Sequence, residues 1–110
     1  MNIQCKSGLL EMCLLSILSH NESTGFDLQS MLDKRVQVVE GTIYPTLRRM
    51  VDEDVIQVNF KEIQDEKRKV YQITQAGLLQ LESQKKEWNR LILGVSKILG
   101  GEDICLEKNS

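Results

Sequence analysis

The stretch Gly41-Thr42-Ile43-Tyr44-Pro45-Thr46-Leu47-Arg48-Arg49-Met50 reads as the opening of a short helix with an apolar face and a cationic one. Thr42 supplies a hydroxyl suited to capping, and Pro45 falls in the first turn, where a missing backbone donor is tolerated. Ile43, Leu47, Met50 and Val51 follow the helical period and are expected to face a core. Pro45, Arg48, Arg49 and Asp52 then point the other way. A short helix that buries one face and presents paired arginines on the other suits the DNA major groove, where arginine forks onto guanine edges or phosphates. An ordinary amphipathic surface helix shows the same ten residues. The flanking sequence has to decide.

Upstream, Leu9, Leu10, Cys13, Leu14, Ile17 and Leu18 keep a helical spacing from residue 8 to residue 19, and His20-Asn21-Glu22-Ser23 breaks it with turn-forming residues. A second helix is expected near Thr24, with Leu28, Met31 and Leu32 on its buried side and Lys34-Arg35 closing it against its dipole. Val36-Gln37-Val38-Val39 is a short strand or extended connector. Downstream, Val55-Ile56-Gln57-Val58-Asn59-Phe60 and Val70-Tyr71-Gln72-Ile73-Thr74 alternate as strands, and the charged residues from Lys61 to Lys69 are expected to bulge between them as a hairpin tip. Thr74 is then the N-cap of a long helix whose apolar residues include Leu78, Leu81 and Trp88. From Trp88 the spacing through Leu91, Ile92, Val95, Ile98 and Leu99 is that of a coiled-coil seam, stopped by Gly100-Gly101.

Three helices closed by a two-stranded β-hairpin make a winged helix-turn-helix, so the fold class is mainly α with a hairpin. The expected organisation is a DNA-binding unit over residues 1–74, a dimerisation helix over 75–101 and a flexible tail over 102–110. The apolar stripe of the last helix is too long for so small a core to cover. A second copy of the chain is its natural cover.

The totals agree. The 110 residues suffice for one domain; 41% are apolar, 27% charged and 5% aromatic, with a single proline, so helix should dominate. No apolar run reaches the ~18 residues of a membrane span, and Met1-Asn2-Ile3-Gln4-Cys5-Lys6 lacks the features of a signal peptide. A cytoplasmic protein that does not enter membranes is expected. Cys5, Cys13 and Cys105 have no metal-type spacing, and with one histidine in the chain neither a zinc site nor a cofactor is expected. Cys13 reads as a small core residue, and Cys5 and Cys105 as reduced thiols with redox sensing as the alternative. No Ser/His/Asp set or phosphate-cradling glycine loop appears, which argues against an enzyme. The net charge of −2 disfavours non-specific nucleic-acid binding, but basic residues concentrate at Arg48-Arg49 and Lys67-Arg68-Lys69, while acidic ones gather at Asp52-Glu53-Asp54 and at Glu102, Asp103 and Glu107.

The stretch 41–50 is similar to the Gly-Thr-Leu-Tyr-Pro-x-Leu-x-Arg-Leu recognition-helix signature of the PadR family of bacterial transcriptional regulators. Lys67 to Gly77 resembles that family's Arg-Lys-Tyr-Tyr-x-Leu-Thr-x-x-Gly wing-to-helix signature, and Thr24-Gly25-Phe26-Asp27-Leu28 its Tyr-Gly-Tyr-x-Ile opening of the second helix. The three occur in order across most of residues 8–99, and the single C-terminal helix resembles the smaller subfamily. The resemblance implies a homodimeric winged-helix repressor that binds a pseudo-palindromic operator on double-stranded DNA and releases it when a small molecule binds. It assigns DNA contacts to Thr42, Tyr44, Pro45, Arg48, Arg49, Lys67, Arg68 and Lys69. Trp88 either packs in the dimer seam or, as in multidrug-responsive relatives, stacks a small planar hydrophobic effector. Leu91, Ile92, Val95, Ile98 and Leu99 are expected at the dimer interface. The chain departs from the family at the wing tip, where Gln64-Asp65-Glu66 replaces a Gly-Gly-Arg-Pro type of sequence. A winged helix used for protein–protein contact, without DNA, is the rival that the acidic tip and the negative total favour.

Overall fold

The computed structural model describes residues 7–39 and 41–101. Cys5, Cys105 and the tail expected at 102–110 lie outside the described residues. The elements run α1 (Ser7–His20), β1 (Ser23–Thr24), α2 (Gly25–Asp33), α3 (Ile43–Asp52), β2 (Ile56–Ile63), β3 (Glu66–Ile73) and α4 (Gln75–Leu99). The mainly helical fold with a hairpin is as expected, with one strand added. Ser23 and Thr24, expected as turn and helix start, pair antiparallel with β3 (Ser23 opposite Tyr71, Thr24 opposite Val70), so the sheet is three-stranded in the order β1-β3-β2. Two residues are too few to carry a period, which is why the pattern does not reveal them.

One core binds these elements. Leu10, Leu14, Leu15 and Leu18 of α1 pack with Leu28 and Leu32, with Ile43, Leu47 and Met50, with Val55, Ile56 and Tyr71, and with Leu81 from the start of α4. Burying these aliphatic side chains is the main driving force for the fold, at ~1.5–3 kcal/mol for each fully buried one. Leu9, Cys13 and Ile17 are only partly buried, and Leu15 takes the place in the core that the pattern had not given it. Met31, expected on the buried side of α2, is 48% exposed. The nine-residue helix buries Leu28 and Leu32, and Met31 instead lines an open cavity with Met12, Cys13 and Trp88.

Local chemistry fixes the element ends. The Thr24 hydroxyl accepts from the Asp27 N–H at 3.1 Å, capping α2. Past α2, the Arg35 and Val36 N–H groups both donate to the Leu32 carbonyl, and residues 34–39 belong to no helix or strand element. Thr74 joins three elements. Its N–H donates to the Val55 carbonyl at 3.1 Å, its hydroxyl donates to the Asp54 carbonyl at 2.6 Å, and the same oxygen accepts from the Gly77 N–H at 3.1 Å. Gly77 is required by this corner: a Cβ there would stand 2.1 Å from the Val55 carbonyl oxygen and 2.8 Å from Ile73 Cγ1. The threonine and glycine of the Thr-x-x-Gly signature thus lock the wing to the long helix. At the far end of α4, the Gly100 N–H donates to the Ser96 carbonyl at 2.9 Å.

The expected loop from Lys61 to Lys69 is not a loop. The strands stay paired outward to Ile63 opposite Glu66, and the whole reversal is made by Gln64 and Asp65. Both adopt positive φ, 54° and 66°, which is the conformation of a two-residue type I′ turn. That turn favours glycine and asparagine, so a Gln-Asp pair hides it from sequence patterns.

Candidate nucleic-acid interface

Helix α3 buries Ile43, Thr46, Leu47 and Met50 and exposes Tyr44, Pro45, Arg48, Arg49 and Asp52, with Val51 between the two faces. The expected division holds. The expected cap does not: Thr42 occupies the N-cap position, but its hydroxyl makes no capping bond. Thr42 has helical backbone angles rather than the extended ones from which a side chain reaches forward. Pro45, three residues on, also lacks the N–H such a hydroxyl would take. The Thr42 carbonyl instead accepts the Thr46 hydroxyl at 2.9 Å.

Tyr44 is both packed and open. Its ring lies against the first residue of α2, where a Cβ on Gly25 would come 2.6 Å from Tyr44 Cε1, and the side chain remains 52% exposed. Gly25, the glycine of the Tyr-Gly-Tyr-x-Ile signature, makes room for the tyrosine of the recognition-helix signature. Exposed Phe26 follows it.

The two arginines part company. At ~100° per helical residue they leave α3 on different sides. Arg48 lines a groove of about 130 Å³ with Tyr44, Asp52, Val58, Lys69 and Tyr71, formed between α3 and the wing. Arg49 turns toward α1, where its Nε donates to Glu11 Oε1 at 3.0 Å and its Nη2 donates to the same oxygen. No local spacing could reveal Glu11, which lies 38 residues away.

The basic triplet divides in the same way. Lys67, Arg68 and Lys69 lie within β3, so side chains alternate between the faces of the sheet. Lys67 Nζ sits 5.4 Å from the centre of the Phe60 ring and Lys69 Nζ 5.6 Å from that of Tyr71, both favourable cation–π placements. Arg68 points to the opposite face and pairs with Glu66 at 3.2 Å. Among the described residues, Arg48, Lys67 and Lys69 take part in no salt bridge, and Lys69 shares the α3 groove with Arg48. Period-two alternation, once the strand is known to continue, would have separated the lysines from Arg68.

A polar cluster holds the wing root from behind. Glu22 accepts from Lys61 Nζ on β2 and from Gln72 Nε2 on β3, the latter at 2.7 Å. Gln57 and Asn59 both donate to Gln72 Oε1. The hydrogen bonds from Lys61, and next from Gln72, hold the Glu22 carboxyl below its usual range.

Trp88, partly buried, stands between two cavities. One of about 560 Å³ is lined by Met12, Cys13, Ile17, Met31, Lys85 and Trp88; the other, of about 290 Å³, by Leu9, Met12, Gln84, Glu87 and Trp88. Cys13 is therefore a cavity wall rather than a filled core position, and burial pushes its thiol pKa up. Leu91, Ile92, Val95, Ile98 and Leu99 are all exposed along α4. His20 is exposed at the end of α1. Among the described residues no group of three or more His, Cys, Asp or Glu side chains is placed to hold a metal ion, and no helix is long and apolar enough to cross a membrane.

Comparison with known proteins identifies this arrangement. A family model described as the transcriptional regulator PadR-like family matches residues 14–83. A PadR-like transcriptional regulator from Bacillus cereus is 42% identical, with 86% of this chain and 95% of that one aligned at a TM-score of 0.81. A Streptococcus mutans protein is 26% identical over 90% of this chain and 93% of its own, with a TM-score of 0.84. A PadR family transcription regulator from Clostridium difficile is 25% identical over 82% and 97%, with a TM-score of 0.77. The chain belongs to the PadR-like family of transcriptional regulators and is not an enzyme.

Proposed function

We propose that this protein is a cytoplasmic, homodimeric repressor that reads a pseudo-palindromic operator with α3 and steadies it with the shaft of the wing. The observation that carries the reading is the meeting of Arg48 and Lys69, from two different elements, in one groove beside the exposed Tyr44. Tyr44 and Pro45 enter the groove of the duplex first, Arg48 forks onto a guanine edge or phosphate, and Lys67 and Lys69 take the flanking phosphates. Thr42 lies at the helix entry, within reach of the backbone. Arg49 and Arg68 are held by Glu11 and Glu66 in the free protein and contribute less. The wing tip carries Glu62, Asp65 and Glu66. Like charge keeps such a tip out of the minor groove, so the wing grips with its shaft.

The apolar stripe of Leu91, Ile92, Val95, Ile98 and Leu99 supports a second copy as the cover for α4. Trp88, with an apolar cavity on either side, supports a small planar hydrophobic effector whose binding releases the operator. The acidic tip favours the rival, a winged helix that docks on a protein, and Arg48 and Arg49 beside Tyr44 argue against it.

Selection of bound duplexes from a random library separates the two. The repressor reading expects an enriched inverted repeat with half-sites about one helical turn, ~34–36 Å, apart. Recovery of no preferred sequence, with weak and indiscriminate binding, contradicts it and turns the search to a protein partner.

A further inference from the structure

We propose that Glu11 limits DNA affinity by competing with a DNA phosphate for Arg49. The proposal rests on the DNA-binding reading of α3 and adds to it a residue on α1 that no signature contains.

The geometry is specific. Both N–H groups that Arg49 commits go to a single oxygen, Glu11 Oε1. A guanidinium has five N–H donors, so more than half of its donor capacity stays open beyond this bond. The two ends of the pair also differ: the Glu11 side chain is 13% exposed and that of Arg49 45%. The carboxylate is therefore the fixed end, set on α1 between the core residue Leu10 and the cavity-lining Met12. The arginine is the free end, on the exposed side of α3 and one helical step from Arg48. A phosphate arriving at that face finds a cation already neutralised, and it gains the contact only by displacing Glu11. With its arginine end nearly half exposed, the pair is screened enough by water to be exchanged. Arg48 meets no such competitor among the described residues.

The test uses four full-length proteins: unmodified, Glu11→Gln, Arg49→Gln and the double variant. Each is first melted to establish that it is folded, then titrated by fluorescence anisotropy onto short labelled duplexes of random sequence over a range of salt. Glutamine keeps an oxygen that accepts from Arg49 but removes the charge. Glu11→Gln is expected to bind more tightly, because the phosphate no longer has to displace a carboxylate, and Arg49→Gln is expected to flatten the salt dependence by the loss of one counterion at each protomer. At a slope of ~0.9 per phosphate, the affinity that Arg49 adds shrinks about three- to fourfold per protomer between 50 and 200 mM salt. In the Arg49→Gln background, the same Glu11 change is expected to do nothing. A gain of equal size with and without Arg49 would show a general charge effect and overturn the proposal, as would an unchanged affinity in Glu11→Gln or an unchanged salt slope in Arg49→Gln. Should Glu11→Gln fail to fold, the Arg49 Nε–H resonance of the unmodified protein, identified by its loss in Arg49→Lys, decides instead. It shifts on duplex addition if the arginine changes partner, and it stays put if the clasp is permanent. Binding of no duplex by the unmodified protein, either in this titration or in the selection from a random library, sinks the DNA-binding reading and this inference with it; normal binding that Glu11→Gln leaves unaltered sinks only the role of Glu11.

Discussion

Replacing Gly25 with alanine should damage DNA binding while leaving the fold almost untouched. The added Cβ would lie 2.6 Å from Tyr44 Cε1 and 3.0 Å from both Cζ and the hydroxyl oxygen. Carbon atoms in contact sit ~3.5–4.0 Å apart, so the ring must retreat by about 1 Å or more. The ring is half exposed and free to swing outward, which keeps the cost to stability small. Alanine at the start of α2 recovers up to ~1 kcal/mol relative to glycine, so the net change should stay within about 1 kcal/mol. That corresponds to at most ~4–8 °C in melting temperature for a domain of this size. The functional cost is larger. A hydrogen bond from the tyrosine hydroxyl to a charged phosphate contributes ~1.5–3 kcal/mol, so losing its alignment should weaken each half-site about ten- to 150-fold. Thermal melting by circular dichroism and anisotropy titration on the selected duplex measure the two quantities separately. Tyr44→Phe should show the same binding loss without the steric change. Unaltered DNA affinity in Gly25→Ala, or a silent Tyr44→Phe, would refute the role given to this ring.

Gly77→Ala should behave oppositely, because the obstacle is the Val55 backbone at 2.1 Å rather than a mobile side chain. Overpacking at ~1–3 kcal/mol and the weakened Thr74 cap at ~1 kcal/mol together predict a loss of about 2–4 kcal/mol, and an unchanged melting temperature contradicts the close approach. Converting Gln64-Asp65 to Asn-Gly should stabilise the hairpin by about 1 kcal/mol, read as a higher urea midpoint at constant slope, because both positions hold positive φ. Glu22 has a folded pKa below its unfolded one, so its contribution is present above the usual glutamate range and is lost as pH falls through the folded value. Stability curves of Glu22→Gln and the unmodified protein should therefore converge in acid and separate toward neutral pH; curves that stay parallel argue against the Glu22 cluster.

The faces of α3, the start of α2 near Thr24, the cap at Thr74 and the exposed stripe of α4 were legible in the sequence because each depends on residues within one or two turns of one another. Periodicity placed Ile43, Leu47 and Met50 in the core and Arg48 outside it with no knowledge of the rest of the chain. What escaped depends on distance or on unusual backbone. The partner of Arg49 is on another helix, and β1 is visible only through its pairing with β3. The Gln64-Asp65 turn adopts left-handed angles without the glycine that announces them, so charged strand residues passed for a loop. Thr42 shows a third cause: a threonine in the capping position is a common signal, yet its backbone is helical rather than extended, and proline at the third helical residue removes one of the two donors its hydroxyl could take.

The groove between α3 and the wing is tested most directly by the salt dependence of duplex binding in the unmodified protein, Arg48→Ala and Lys69→Ala. If both side chains meet DNA phosphates, each variant should bind more weakly and flatten the slope of log K against log salt by ~0.9 per protomer. If Arg48 reads a base instead, its loss should leave the slope in place, cost ~1–3 kcal/mol on the selected sequence and relax the preference at one position of each half-site. Unaltered affinity and slope in both variants, with the fold intact, would contradict the assignment of this face to DNA.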